Sequence, residues 1–269
     1  MDILDQNLSA LERKNLYEDS EQLMLWHCRS DPRFSYYVYI PESIYEKEPP
    51  LYKIVCIVHG TARSTEDYRQ AYREFAEKNQ FIIIMPLFPG GLFDNNDFNS
   101  YKLLAYKGVR YDLILLSMID ELSRKYRIYK DKFFMSGFSG GGQFAQRFFY
   151  LHPKRLMGLC IGAPGRITYI NDKVDYYWGT RDFNKIFDKE IEIEAMKNVP
   201  VQLLIGEKDV SFIGESPYGS NRMERMMNLK KNLEEHDIEV QLDIMEGIAH
   251  SGYDNIKSKY QTEFFQKIL

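Results

Sequence analysis

Apolar positions along the chain fall into two rhythms that alternate. Short, nearly continuous apolar runs occur at residues 53–59, 81–85, 132–138, 156–162, 200–206 and 239–245. Runs of this length and continuity predict parallel strands covered on both faces. Two earlier runs, 21–28 and 34–40, flank Asp31-Pro32 and predict a hairpin. Between the strands the period changes to that of a helix. Ser64-Thr-Glu-Asp67 carries a helix-start signal, and Tyr68, Ala71, Tyr72, Phe75 and Ala76 then recur on one face. Residues 111–126 repeat the pattern through Leu115, Met118, Ile119 and Leu122, and 143–151, 221–235 and 253–268 supply further helices. Alternating strands and helices predict an α/β domain, a mostly parallel eight-stranded sheet with helices on both faces.

Two segments break the alternation. Residues 87–108 form a long connection bearing Gly and Asn, and residues 165–199 separate the sixth and seventh strands. Both exceed the usual connection of about 2–6 residues. The second contains Tyr169, Tyr176, Tyr177, Trp178 and Phe183, too aromatic a composition for disorder. It is expected to be a small cap over the site. No repeat or linker divides the chain, so residues 1–269 are expected to form one domain, with no assignable role for residues 1–20.

Composition narrows the function classes. At 269 residues, with 44% hydrophobic and 28% charged residues and a formal net charge of −4, the chain has the balance of a soluble globular protein. It lacks the basic excess of a nucleic-acid binder. The Arg124–Arg127 and Lys230-Lys231 clusters sit near helix ends and read as solvated faces. No stretch approaches the ~18 apolar residues of a membrane span. The acidic N-terminus has no apolar signal core, which points to a cytoplasmic protein. Cys28, Cys56 and Cys160 are too few and too scattered for a disulfide framework or a metal site, and no cofactor is called for.

Residues 137–141 read Gly-Phe-Ser-Gly-Gly, a G-x-S-x-G match with an apolar strand before it and a helical stretch after it. That context is the one a nucleophile elbow requires, with Ser139 on a sharp strand-to-helix turn. A serine hydroxyl needs a base within hydrogen-bond reach and a third group to orient that base. Of the five histidines, only His250 lies in a loop directly after a late strand, and its ordinary pKa suits proton shuttling. The orienting acid is expected just past the strand 200–206. Asp209 is the first choice and Glu207 the second. The oxyanion would be held by the backbone N–H of Gly140 and by that of Thr61, with Ala62 as alternate, in the loop His59-Gly-Thr-Ala. His59 itself reads as a structural residue. Phe138, Tyr176, Tyr177 and Trp178 are expected to line an apolar acyl or alcohol pocket, and Arg222 could hold an anionic group there.

Ser139, Asp209 and His250 in that order, with His59-Gly60, resemble the α/β-hydrolase superfamily over residues 20–268. The stretches His-Gly-Thr, Met-Ser-Gly-Phe-Ser-Gly-Gly-Gly-Gln-Phe-Ala, Ile-Gly-Glu-Lys-Asp and Gly-Ile-Ala-His-Ser look most like single-domain esterases related to polyhydroxyalkanoate depolymerases and feruloyl esterases. Those relatives usually carry leaders and disulfides, so an intracellular soluble ester replaces a polymer as the expected substrate. The resemblance implies a serine esterase working through an acyl-enzyme, on a small-molecule or carrier-bound acyl ester. A thioesterase or peptidase would keep the same three residues. A carrier-bound substrate would want a basic rim, which Arg63, Lys102, Lys107 and Arg110 could supply. A receptor of hydrolase shape without turnover is the reading from another class.

Overall fold

A computed structural model describes residues 24–45, 48–64, 66–252 and 254–269, with side chains described except at 24, 45 and 66–71. The expectations for residues 1–20, for the strand positions 21–23 and, in the Ser64–Asp67 helix start, for Thr65 and the side chains of Glu66 and Asp67 lie outside what is described. The same holds for the burial of Tyr68 and Ala71.

The chain opens with a hairpin, β1 (Met24–His27) and β2 (Ser35–Tyr39), then enters β3 (Lys53–Val58). Helix α1 (Glu66–Asn79) leads to β4 (Phe81–Leu87). A long connection follows, with a 3-10 turn at Ser100–Leu103 and a two-residue ribbon, β5 (Ala105–Tyr106) and β6 (Val109–Arg110). Helix α2 (Tyr111–Lys125), β7 (Phe133–Phe138), α3 (Gly140–Leu151) and β8 (Leu156–Gly162) complete the centre. Between β8 and β9 (Val201–Gly206) lie only two short helices, α4 (Phe183–Phe187) and α5 (Ile193–Met196). Helix α6 (Arg222–Glu234), β10 (Val240–Met245) and α7 (Asp254–Ile268) end the chain.

Eight strands form one sheet in the order β1-β2-β4-β3-β7-β8-β9-β10. Only β2 runs against the others, since it pairs antiparallel with both β1 and β4 while every other pair is parallel. The eight strands anticipated from apolar runs are these eight, shifted at their ends by no more than two residues where both ends are described. β7 and β9 are buried at every position, which is why their sequences carry no polar alternation.

Helices cover both faces. Adjacent residues of a strand point to opposite sides. Phe133 packs on Phe148 of α3, with ring centroids 5.8 Å apart. Phe134 stacks on Phe265 of α7 at 4.4 Å. Helix α1 joins α7 through Phe75 and Phe265 and through a 2.6 Å hydrogen bond from the Tyr72 hydroxyl to Gln261 Oε1. On the other face Phe88 lies between Tyr111 of α2 and Phe144 of α3, at 5.4 and 5.2 Å. All three cysteines are buried free thiols. This layering points the carboxyl ends of β3, β7, β8, β9 and β10 to one edge, where sites collect in open α/β sheets.

Candidate active site

Ser139 sits between β7 and α3 with φ 56° and ψ −112°, a left-handed backbone that non-glycine residues rarely adopt. The surrounding glycines make the turn possible. A Cβ on Gly137 would stand 2.3 Å from the Gly141 carbonyl oxygen, and one on Gly141 would stand 2.0 Å from that of Val58. The helix therefore starts at Gly140, directly after the serine, three residues earlier than the apolar period suggested.

Two loops bring partners to Ser139. Asp209 lies three residues past the end of β9, and its side chain is fully buried. His250 lies in the loop after β10. The loops meet because Gly206 has no side chain: a Cβ there would lie 2.3 Å from the Ile248 carbonyl oxygen. The Lys208 N–H donates to that same carbonyl at 2.8 Å. His250 Nδ1 then lies 2.6 Å from Asp209 Oδ2, and His250 Nε2 lies 3.0 Å from Ser139 Oγ. Glu207, the second choice for the acid, points elsewhere and accepts the Gly247 N–H at 2.8 Å. Behind the imidazole stand the Phe138 ring, 5.4 Å away, and the buried Lys257 ammonium, which donates to the His250 carbonyl at 3.2 Å.

Thr61 and Gly140 come together on the other side of the serine. A Cβ on Gly140 would stand 3.1 Å from the Thr61 backbone nitrogen, 2.8 Å from Lys102 Cε and 2.4 Å from the Tyr101 hydroxyl. Among the described residues neither backbone N–H, at Thr61 or at Gly140, has a hydrogen-bond acceptor. The loop is shaped from beneath by Arg63, whose guanidinium donates to the carbonyls of Phe88 and Thr61 at 2.8 and 2.6 Å. His59 is buried: its Nδ1 lies 2.8 Å from the Gly60 carbonyl, and its Nε2 accepts the Phe88 N–H at 3.0 Å. Burial without a countercharge lowers its pKa to about 4, so it stays neutral and structural.

The pocket that opens from Ser139 is not the apolar one expected. It is lined by Thr61, Asn99, Lys102, Leu103, Gln143 and Gly165 and by four residues of a different kind, Arg166, Tyr177, Arg222 and Arg225, with Ile213 beside them. Of the anticipated substrate contacts, Tyr177 and Arg222 reach it. Phe138, Tyr176 and Trp178 do not. Phe138 is turned under the histidine with 3% exposure. The Tyr176 hydroxyl donates to the Leu103 carbonyl at 2.6 Å while its ring packs on Phe183 and Phe187. Trp178 packs on Tyr218 and beneath the Arg225 guanidinium. Amphipathic aromatics used their apolar bodies to hold the 165–199 connection to the rest of the protein, and cations were left at the wall. Of the four basic residues suggested as a rim, Lys102 alone lines this pocket. Arg110 is held by both oxygens of buried Asp112, and the Lys107 ammonium lies 5.5 Å from the Phe93 ring centroid.

Several residues were missed. Arg147 of α3 is fully buried and donates to Lys102 O at 2.6 Å, Thr168 Oγ1 at 2.9 Å and Arg166 O at 3.2 Å. It thereby ties both long connections to the helix behind the serine, and burial lowers its pKa. Arg166 and Arg225 were also legible in principle. Arg166 stands just beyond a strand tip on the functional edge, and Arg225 is three residues from Arg222 on one helix face.

No family model and no curated relative matches the sequence. Solved structures do match in shape. A poly(3-hydroxybutyrate) depolymerase from Bordetella parapertussis superposes with a TM-score of 0.72 at 16% identity, over 91% of this chain and 90% of that one. Poly(aspartic acid) hydrolase-1 from Sphingomonas sp. KT-1 gives 0.68 at 20% identity, over 90% and 97%. A ferulic acid esterase gives 0.65 at 13% identity, over 92% and 97%. The chain has the α/β-hydrolase fold. The depolymerase and feruloyl-esterase likeness read from short motifs is thus present at the level of the whole sheet and its helices. Among the described residues no helix is long and apolar enough to cross a membrane, and no group of three or more His, Cys, Asp or Glu side chains could hold a metal ion.

Proposed function

We propose that the protein is a serine hydrolase that cleaves a carboxylic ester through an acyl-enzyme. One observation carries this reading: His250 bridges Ser139 Oγ and Asp209 Oδ2 at 3.0 and 2.6 Å. Nδ1–H donates to the carboxylate, which leaves Nε2 as the acceptor for the serine proton. Ser139 attacks the ester carbonyl as His250 takes that proton. The oxygen that becomes negative is held by the N–H groups of Gly140 and Thr61, which lie close to one another and have no acceptor among the described residues. His250 returns the proton to the departing alcohol, and water, activated in the same way, releases the acid. Asp209 fixes the tautomer and stabilises the imidazolium, and Arg222 Nη1, 3.3 Å from Asp209 Oδ1, holds the carboxylate from its far side. The 165–199 connection acts as a cap that shapes the substrate space through Arg166 and Tyr177.

The fold neighbours named as esterases and depolymerases support an ester as the substrate class. A fluorophosphonate probe is expected to modify Ser139, read by peptide mass spectrometry. A panel of short-chain esters is expected to be hydrolysed by the wild type and to lose on the order of 10⁴- to 10⁶-fold in kcat/KM with Ser139→Ala. No adduct at Ser139, or equal rates in the variant, would sink the reading.

A further inference from the structure

The pocket at Ser139 presents Lys102, Arg166, Arg222 and Arg225 and no Asp or Glu among its lining residues. Asp209, from behind the wall, offsets one of these charges through Arg222. The rest lack carboxylate partners among the described residues. Arg225 donates only to the carbonyls of Gly165, Gly214 and Gly219, with Glu224 and Glu215 acting on its charge from a distance and neither of them hydrogen-bonded to it. The Arg166 guanidinium makes one hydrogen bond among the described residues, from Nη1 to the Tyr177 hydroxyl at 3.2 Å. Lys102 Nζ uses two of its three donors, on Thr61 Oγ1 at 2.7 Å and Asn99 Oδ1 at 2.6 Å. Arg222 Nε is buried with no acceptor among the described residues. It approaches Gly165 together with the Gln143 side-chain amide: a Cβ on Gly165 would lie 4.0 Å from Arg222 Nε and 3.3 Å from Gln143 Nε2. A buried donor without an acceptor is costly to keep, and cations that repel one another, as Arg166 and Arg222 repel Lys102, are costly again. A ligand that supplies oxyanion oxygens there removes both penalties, because guanidinium groups match carboxylate and phosphate geometry.

We propose that the ester hydrolysed at Ser139 carries a small oxyanion, a carboxylate or a phosphate, on one of its arms, bound by Arg222 and Arg166 with Lys102 at its edge. This rests on the hydrolase reading above for the word "ester" and on the pocket alone for the charge. The cavity measures about 230 Å³, below the ~300 Å³ at which ligand clefts usually begin, so the charged arm is short. A long neutral acyl chain exceeds that volume and would leave the buried Arg222 Nε without an acceptor.

The test separates binding from turnover. Binding is measured by calorimetry on Ser139→Ala, with monomethyl glutarate (charged) and dimethyl glutarate (its neutral match). The monoester is expected to bind roughly 10- to 100-fold more tightly, and adding Arg166→Gln is expected to remove most of that ratio. Equal or weaker binding of the charged ligand overturns the anion site. Competition by inorganic phosphate assigns the site to oxyanions in general, and its failure to compete assigns it to carboxylates. Turnover on the wild type then compares monomethyl glutarate, charged on the acyl arm, with 3-acetoxypropionate, charged on the alcohol arm, each against its methyl ester. A charged ester hydrolysed at least about tenfold faster in kcat/KM than its methyl ester names the arm and supports the proposal. Loss of all turnover with charge-selective binding retained would sink the hydrolase reading and leave the anion site standing.

Discussion

Two regions meet at Ser139 and are built in opposite ways. On one side is the β7–α3 turn, residues 133–151, where every requirement is met within a single stretch: an apolar strand, a left-handed serine, glycines where neighbouring backbone comes within 2.0–2.3 Å of a would-be Cβ, then a helix. On the other side is the pocket wall, assembled from Asn99 and Lys102, Gly165, Arg166 and Tyr177, and Ile213, Arg222 and Arg225. These belong to three connections far apart in sequence. The contrast teaches that the strained serine turn is written locally while the wall beside it is written by how loops pack. One residue joins the halves: Asp209 touches the histidine with one oxygen and Arg222 with the other.

That junction gives the largest expected effect among the remaining variants. Asp209→Asn keeps the volume but presents an amide where Nδ1–H needs a carboxylate. We expect kcat to fall about 10²- to 10⁴-fold, with KM changed far less, in steady-state assays on a hydrolysed ester. An equal loss through KM alone would mean that Asp209 serves the pocket rather than the histidine. Gly141→Ala attacks the local half. Its Cβ would meet only backbone, the Val58 carbonyl oxygen at 2.0 Å and that of His59 at 2.9 Å, with no flexible end to yield. We expect about 3 kcal/mol or more of lost stability in urea unfolding. A loss below ~1 kcal/mol would show that the turn has slack that this geometry denies.

His59 sharpens the comparison from beneath the loop that carries Thr61. Its folded pKa of about 4 lies below the ordinary 6.5, because burial opposes the charged form. The unfolded chain therefore takes up a proton between pH 6.5 and 4 that the native protein refuses. The stability His59 contributes is intact above pH 6.5 and is lost as pH falls toward 4, by about 3 kcal/mol over that window. Urea titrations at pH 7 and 4.5 should show a smaller difference in His59→Gln than in the wild type.

The smallest effect concerns the pocket. Burial, and then the charges of Arg63, Arg166, Arg147 and Arg222 around it, hold the Lys102 pKa down to about 8. Its charge is therefore lost as pH rises through 8, where an ordinary lysine would keep it. The kcat/KM preference for the charged over the neutral ester is expected to decline roughly 2- to 5-fold between pH 7 and 9. In Lys102→Met that decline should be absent.

Much of the fold was legible because parallel strands buried on both faces leave an unmistakable apolar signature, as β7 and β9 do. Ser139 and His250 were legible for related reasons: one sits in a turn that glycines mark, and the other is the histidine just past the last strand. The choice of Asp209 over Glu207 depended on reach past a strand tip, and in the structure Asp209 faces the imidazole while Glu207 caps Gly247. The pocket wall was misread for a physical reason. Tyr176 and Trp178 are large enough to line a cavity or to glue a loop, and sequence does not distinguish the two. Arg147 was invisible because a buried arginine bonded to carbonyls has no partner residue type to betray it.

By itself, the sequence determined the strand and helix alternation, the glycine-bound turn at Ser139 and the order in which Ser139, Asp209 and His250 arrive. These depend on residues within a few positions of one another or on position relative to a strand end. Only the tertiary structure decided that Tyr176 and Trp178 turn inward, that Arg147 ties two connections to one helix, and that four cations converge beside the serine without a carboxylate among the lining residues. Those outcomes follow from long-range packing, where each side chain's direction is set by neighbours that the linear order does not name.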